Sequence, residues 1–165
     1  MYELELFAGA GGGILAQQLL GHLTVGAVEI TPYCRNVLLQ RQRDLCLPVF
    51  PVWDDVTTFR ADNPECAAYI GWLRSIRSEL CISGGFPCQD ISSCGKGSGI
   101  AGAKSGLWHE MARIIGEIQP AFVFAENSPM LATRGLGTVL ESLAAMGYDA
   151  RWCVLGADDL GYPII

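Results

Sequence analysis

Phe7-Ala8-Gly9-Ala10-Gly11-Gly12-Gly13, read with the strand-like Tyr2–Phe7 before it and the apolar Ile14–Leu20 behind it, decides the fold class. A strand that passes through a glycine turn straight into a helix opens a β-α unit. Glycines at that junction let the backbone approach a ligand closely and leave the helix N-terminal N–H groups facing it. Residues 11–16 also satisfy the dinucleotide pattern G-x-G-x-x-A. A nicotinamide- or flavin-dependent oxidoreductase therefore stays open at this point, as does a tight turn with no ligand.

The same alternation continues along the chain. Gly21 ends the first helix as a C′ glycine, and Leu23–Val28 forms a second strand closed by Glu29. Thr31-Pro32 reads as N-cap and first residue of a helix to about Arg43. A short strand near Val52–Trp53 leads into Asp54-Asp55-Val56, and a helix follows over about Pro64–Arg77. Leu80–Ser83 is the fourth strand, with the glycine pair 84–85 permitting a tight turn after it. A glycine-rich loop, Ser92–Gly106, reads as a lid. Leu107–Gln119 is an amphipathic helix with Leu107, Met111, Ile114, Ile115 and Ile118 on one face. Ala121–Ala125 is a buried strand, Leu136–Met146 a helix stopped by Gly147, and Asp149–Leu155 a final strand. The pattern predicts an α/β domain over residues 1–165, with a mostly parallel sheet and helices on both faces. Ligands then bind beyond the carboxyl ends of the strands.

Composition narrows the class. No apolar run approaches the roughly 18 residues of a membrane span, and Met1-Tyr2-Glu3-Leu4-Glu5 lacks the basic start of a signal peptide. A soluble, cytoplasmic protein is expected. Seven cysteines at irregular spacing, with no C-x-x-C and only two histidines, speak against structural zinc and a disulfide framework. The net charge of −6 counts against direct neutralisation of nucleic-acid phosphates.

Four features fall at strand carboxyl ends. Besides the glycine loop, Glu29 can accept from the two hydroxyls of a ribose, or serve the start of the next helix. Asp55 can accept from an adenine amino group, or be a turn aspartate. The fourth is Gly85-Phe86-Pro87-Cys88-Gln89, facing Glu126-Asn127. Cytosine C5 is a poor nucleophile until a thiolate adds to C6, so its methylation requires an exposed, rigidly aimed cysteine. Pro87 fixes the backbone before Cys88. Charge developing on the ring must be met by a proton at N3, and Glu126, buried at the end of an apolar strand, could keep one. Rival chemistries lack their motifs: neither Lys96 nor Lys104 has P-loop spacing, and there is no G-x-S-x-G elbow.

These residues resemble the bacterial and phage DNA (cytosine-5-)-methyltransferases. Phe7–Gly12 is similar to their AdoMet loop, Glu29 to their ribose-binding acid, and Asp54-Asp55-Val56 to their adenine-contacting segment. Gly85–Ser92 resembles the nucleophile motif and Glu126-Asn127-Ser128 the Glu-Asn-Val motif. Lys104–Trp108 resembles the segment whose leucine flanks the cofactor, and Ala157–Pro163 the start of a later motif. The resemblance implies a Rossmann-like AdoMet-dependent methyltransferase fold, truncated on its C-terminal side. It implies S-adenosylmethionine held by Phe7, Gly9, Ala10, Gly11, Gly12, Glu29, Asp55, Val56, Pro87 and Leu107. Catalysis falls to Cys88, Glu126 and Asn127, on a cytosine flipped from duplex DNA. Gly13 stands where the family has a large apolar residue, and Ser128 where it has Val. The recognition region and final segment of the family have no counterpart in the sequence. One reading is then a truncated or split enzyme that needs a second polypeptide to supply them, the alternative being an AdoMet- or partner-binding remnant without turnover. RNA in place of DNA remains open, since the flipped-base chemistry is the same.

Overall fold

A computed structural model describes residues 1–87, 107–156, 159 and 161. The expected nucleophile Cys88, the glycine loop 92–106 and most of the Ala157–Pro163 motif lie outside the described residues. Among the described residues five strands form one sheet: β1 (Tyr2–Leu6), β2 (Leu23–Val28), β3 (Val52–Trp53), β4 (Leu80–Gly85) and β5 (Phe122–Glu126). Their order is β3-β2-β1-β4-β5, and every neighbouring pair is parallel. The strand order reverses between β1 and β4, so the crevice beyond their carboxyl ends is the expected ligand position. Six α-helices among the described residues connect and cover the strands: α1 (Gly12–Leu19), α2 (Pro32–Arg43), α3 (Ala67–Ser75), α4 (Leu107–Ile118), α5 (Leu131–Arg134) and α6 (Leu136–Ala145).

Helices pack on both faces, as the strand pattern requires. Leu4, Leu6, Val28, Leu80 and Ile82 join Ile70 and Leu73 of α3, Met111 and Ile114 of α4, and Val139 and Leu143 of α6 in one core. Ala27, one residue before Val28, points to the other face and packs with Ile14 of α1 and Leu38 of α2. No helix among the described residues is long and apolar enough to cross a membrane.

Four expectations are corrected. The glycine pair 84–85 lies inside β4, not in a turn after it. Residues 149–155 form no strand. The third helix starts at Ala67 rather than Pro64, because Asn63 and Pro64 belong to the turn before it, where the Asn63 carbonyl accepts from the Cys66 and Ala67 amides. β5, expected to be buried, is exposed along most of its length, with Phe122 59% and Phe124 65% accessible. It is the last strand of the described sheet, so no further strand covers that edge, and its two phenylalanines face away from the α3–α4–α6 core. The four-residue α5 was not legible at all.

β1 carries a second surprise. Glu3 and Glu5 alternate with Leu4 and Leu6, a pattern ordinarily read as one wet face, yet both carboxylates are buried beneath α1. Hydrogen bonds make this tolerable. The Gln17 amide donates to Glu5 and to Ser83 Oγ (3.0 Å), and Thr24 Oγ1 donates to Gln17 Oε1 (2.8 Å). Ser83 Oγ lies 2.5 Å from Glu5 and 3.0 Å from Glu3, and His22 Nδ1 meets Glu3 at 2.7 Å. Gly13 follows from this arrangement: a Cβ there would collide with the Glu5 carboxylate.

Candidate active site

The cradle after β1 is built by backbone conformation. Phe7 (φ 56°), Gly9 (φ 53°) and Gly11 (φ 98°) are left-handed, while Ala8 and Ala10 between them are not. A left-handed conformation costs a non-glycine residue roughly 1 kcal/mol or more, which marks Phe7 as held in place by its surroundings. Gly11 serves as N-cap of α1, and its missing side chain leaves room for Leu38 Cδ2, which a Cβ would approach to 2.9 Å. At Gly9 and Gly12 a Cβ would meet nothing within 4 Å, so both open onto space. Ala10 is exposed beside them. The first N–H groups of α1 thus lie at an open cradle.

Glu29 links that loop to the next. It is 7% exposed, and its Oε2 accepts from Gly9 N while Oε1 accepts from Thr31 N, both at 2.7 Å. The helix-start and ligand readings of Glu29 are therefore not exclusive. Each oxygen is anchored by one amide and retains a further lone-pair direction. Asp55 behaves first as a turn residue: its Oδ1 accepts from Thr57 N and Thr57 Oγ1, both at 2.8 Å. Oδ2 takes no hydrogen bond among the described residues. Val56, beside it, is buried.

On the other side of the crevice, β4 and β5 bring two motifs into register. Glu126 pairs with Gly85. A Cβ on Gly85 would sit 2.7 Å from Glu126 Oε2, so this glycine makes room for the carboxylate. Gly84 answers a different need, because a Cβ there would come within 2.6 Å of the Leu6 carbonyl oxygen of β1. Asn127 Nδ2 donates to Phe86 O (2.8 Å), and Asn127 Oδ1 accepts from Ser128 N (2.8 Å). The Asn127 amide thus ties the two strand exits together. Phe86 packs on Trp108 of α4 with centroids 5.4 Å apart, and Pro87 follows, half-buried. Leu107, the first residue of α4, is half-buried against the main core. The expected burial of Glu126 is not observed. Its carboxylate is exposed, because β5 lies at the sheet edge.

The cysteines separate by environment. Cys81, on β4, is buried, and burial, reinforced by Glu3 and Glu5, pushes its thiol up to about 12. It is an inert core thiol. A groove of about 750 Å³ runs along β5, α6 and residues 149–155. It reaches the carboxyl rim at Glu126–Pro129 and touches none of Phe7–Gly13, so it is an edge feature and not the glycine cradle. Among the described residues no group of His, Cys, Asp and Glu is placed to hold a metal.

Among the described residues the expected segments meet at this rim, but neither the role of Gly85 as space for Glu126 nor the Asn127–Phe86 bond was expected. The glycine pair was the available signal, and only the strand register gives it meaning.

Fold and rim together give the Rossmann-like fold of methyltransferases, a parallel sheet with an open glycine cradle at its switch point. The chain belongs to the C-5 cytosine-specific DNA methylase family, which matches residues 1–164. It is 32% identical over 158 residues to the type II methyltransferase M.Sau96I of Staphylococcus aureus, covering 93% of this chain and 34% of that one. It is 34% identical over 161 residues to M.CviJI of Paramecium bursaria Chlorella virus IL3A, covering 96% and 39%. The chain therefore spans between a third and two-fifths of the length of these relatives. The crystal structure of the S. pombe Dnmt2 methyltransferase superposes with a TM-score of 0.59 at 15% identity, covering 88% of this chain and 39% of that one, a likeness of fold.

Proposed function

We propose that this chain carries the S-adenosylmethionine-binding and nucleophile-bearing part of an enzyme that methylates C5 of cytosine in DNA. The observation that carries the reading is the pairing of Gly85 with Glu126, which sets the strand leading to Pro87-Cys88 beside the strand ending in Glu126-Asn127. Family membership and the open glycine cradle beside that pair support it.

The residues divide the work as follows. Bound AdoMet supplies an electrophilic methyl group. Phe7, Gly9, Ala10, Gly11 and Gly12 would cradle the cofactor, Glu29 would accept from the ribose, and Asp55 and Val56 would border the adenine. Pro87, after β4, and Leu107, at the start of α4, would complete its site. The Cys88 thiolate adds to C6 of the flipped cytosine, forming the S–C6 bond. The C5=C6 electrons move into the ring, N3 takes a proton from Glu126, and C5 becomes nucleophilic. Glu126 is exposed in the free chain, open to the entering base. Asn127 holds the nucleophile strand's exit against Glu126.

The net charge of −6 favours a DNA-contacting surface supplied from outside these 165 residues, since phosphate contacts need Lys and Arg. Placement in the cytoplasm goes with this reading. The test is transfer of labelled methyl from AdoMet to duplex DNA by the chain, alone and with its neighbouring gene product. Transfer by the unaltered chain and none by Cys88→Ser, with AdoMet binding retained, is expected. No transfer under either condition would overturn the enzyme reading. Stabilisation by NAD but not by AdoMet in a melting assay would return the chain to the oxidoreductases.

A further inference from the structure

The turn that carries Asp55 and Val56 hangs on little of the sheet. β3 is an edge strand of two residues. Its bonds to β2 include Ala27 N to Pro51 O and Glu29 N to Trp53 O, each 3.0 Å. Within itself the turn is well formed, because the Asp55 carbonyl accepts from Thr58 N, Phe59 N and Thr58 Oγ1. Beyond that point residues 56–61 turn polar backbone groups toward α4, and one side-chain pair meets them. Arg113 Nη2 donates to Val56 O (3.0 Å), and both Nη1 and Nη2 donate to Phe59 O (3.1 Å each). Glu117 Oε2 accepts from Ala61 N (2.9 Å). Two carboxylates steady the guanidinium in turn: Nε donates to Glu110 (2.8 Å) and Nη1 to Glu117 Oε1 (2.7 Å). The Arg113 side chain is 18% exposed, so these bonds face little competition from water.

Arg113 stands six residues after Leu107, about 9 Å along the axis of the same helix. We infer that Arg113, braced by Glu110 and Glu117, is a positioning residue that fixes the Asp55–Val56 turn to the helix bearing Leu107 and so sets the distance between two walls of the cofactor pocket. This rests on the reading, proposed above, that the turn borders the adenine of AdoMet. A planar guanidinium can donate to Val56 O, Phe59 O and both carboxylates at once. An ammonium is a point charge on a flexible stem and cannot span them together. A purely structural clamp, in contrast, needs only a cation between Glu110 and Glu117.

Titration calorimetry of the full chain with AdoMet and with adenosine separates the two roles, alongside thermal melts. Arg113→Lys is expected to keep most of the melting temperature yet bind both ligands at least tenfold more weakly. Glu117→Gln, which retains an acceptor for Ala61 N but loses the ion pair, is expected to weaken both about threefold. It serves where the lysine variant does not fold. If the folded variants bind within twofold of the unaltered chain, the positioning role is overturned and the adenine reading stands. If the unaltered chain binds neither ligand, the adenine reading fails and takes this inference with it.

Discussion

Replacing Gly84 and Gly85 one at a time by Ala should separate a strand-packing requirement from a site requirement at adjacent residues. A Cβ on Gly84 lies 2.6 Å from the Leu6 carbonyl oxygen, 3.2 Å from Leu6 Cβ and 3.3 Å from the Leu6 carbonyl carbon. The first contact is about 0.8 Å inside ordinary van der Waals distance, and two of these atoms are backbone of the central strand. Leu6 pairs with Gly84 in the β1–β4 ladder and is wholly buried, so β1 cannot move without breaking the core on both faces. Overpacking of this kind costs about 2–3 kcal/mol, which for a chain of this size lowers Tm by roughly 4–12 °C. A Cβ on Gly85 meets only the far end of one exposed side chain, Glu126 Oε2 at 2.7 Å, with the Glu126 backbone oxygen at 4.0 Å. The carboxylate can rotate away at a cost of about 1 kcal/mol or less. Gly85→Ala should therefore melt within about 3 °C of the unaltered chain while moving Glu126 by an ångström or so. A displacement of that size costs on the order of a hundredfold in rate. Thermal melts followed by circular dichroism, with labelled methyl transfer measured on the same samples, read both effects. Equal losses of Tm in the two variants, or a Gly84→Ala chain that melts like the unaltered one, would refute the reasoning.

Glu29→Gln should destabilise the chain by about 1–3 kcal/mol, because one of the two amides it accepts from then faces an NH₂ group. AdoMet affinity should fall with it; an unchanged melt would show that the two loops do not depend on this carboxylate. Glu5 gives a pH dependence. Burial holds its carboxyl above the ordinary 4.5, against hydrogen bonds from Ser83 and Gln17 and with Glu3 adding to the rise. The folded state thus binds the proton more tightly than the unfolded state. The stability it contributes is complete below about pH 4.5 and is lost as pH rises through the folded value. Melts of Glu5→Gln against the unaltered chain over a pH series should show the variant gaining as pH rises through the folded value, and a difference constant throughout would contradict this sign.

The segments that matter were legible because their signals are local. The glycine turn after β1, Thr31-Pro32 at the start of α2 and the five-residue apolar face of α4 each follow from period and turn chemistry within a dozen residues. The parallel sheet followed from their alternation, and the rim residues from their positions at strand ends. Misreadings arose where a neighbour far along the chain decides. Alternating Glu3 and Glu5 do not reveal that α1 will cover them with Gln17, or that Ser83 will arrive beside them from β4. The apolar β5 does not reveal that its outer edge is left uncovered in this sheet.

The residue types at the rim, and with them the family, were determined by the sequence alone. Which atoms meet there was decided by the tertiary structure. Pairing Gly85 with Glu126, seating the Phe86 carbonyl on Asn127 and clamping Val56 and Phe59 with Arg113 join positions some 40 to 57 residues apart. The physical reason is that register between distant strands, and packing of a helix against a turn, are set by mutual exclusion in a filled core. A glycine in the sequence shows only that a side chain is missing. The carbonyl or carboxylate that occupies its place appears when the strands are laid side by side.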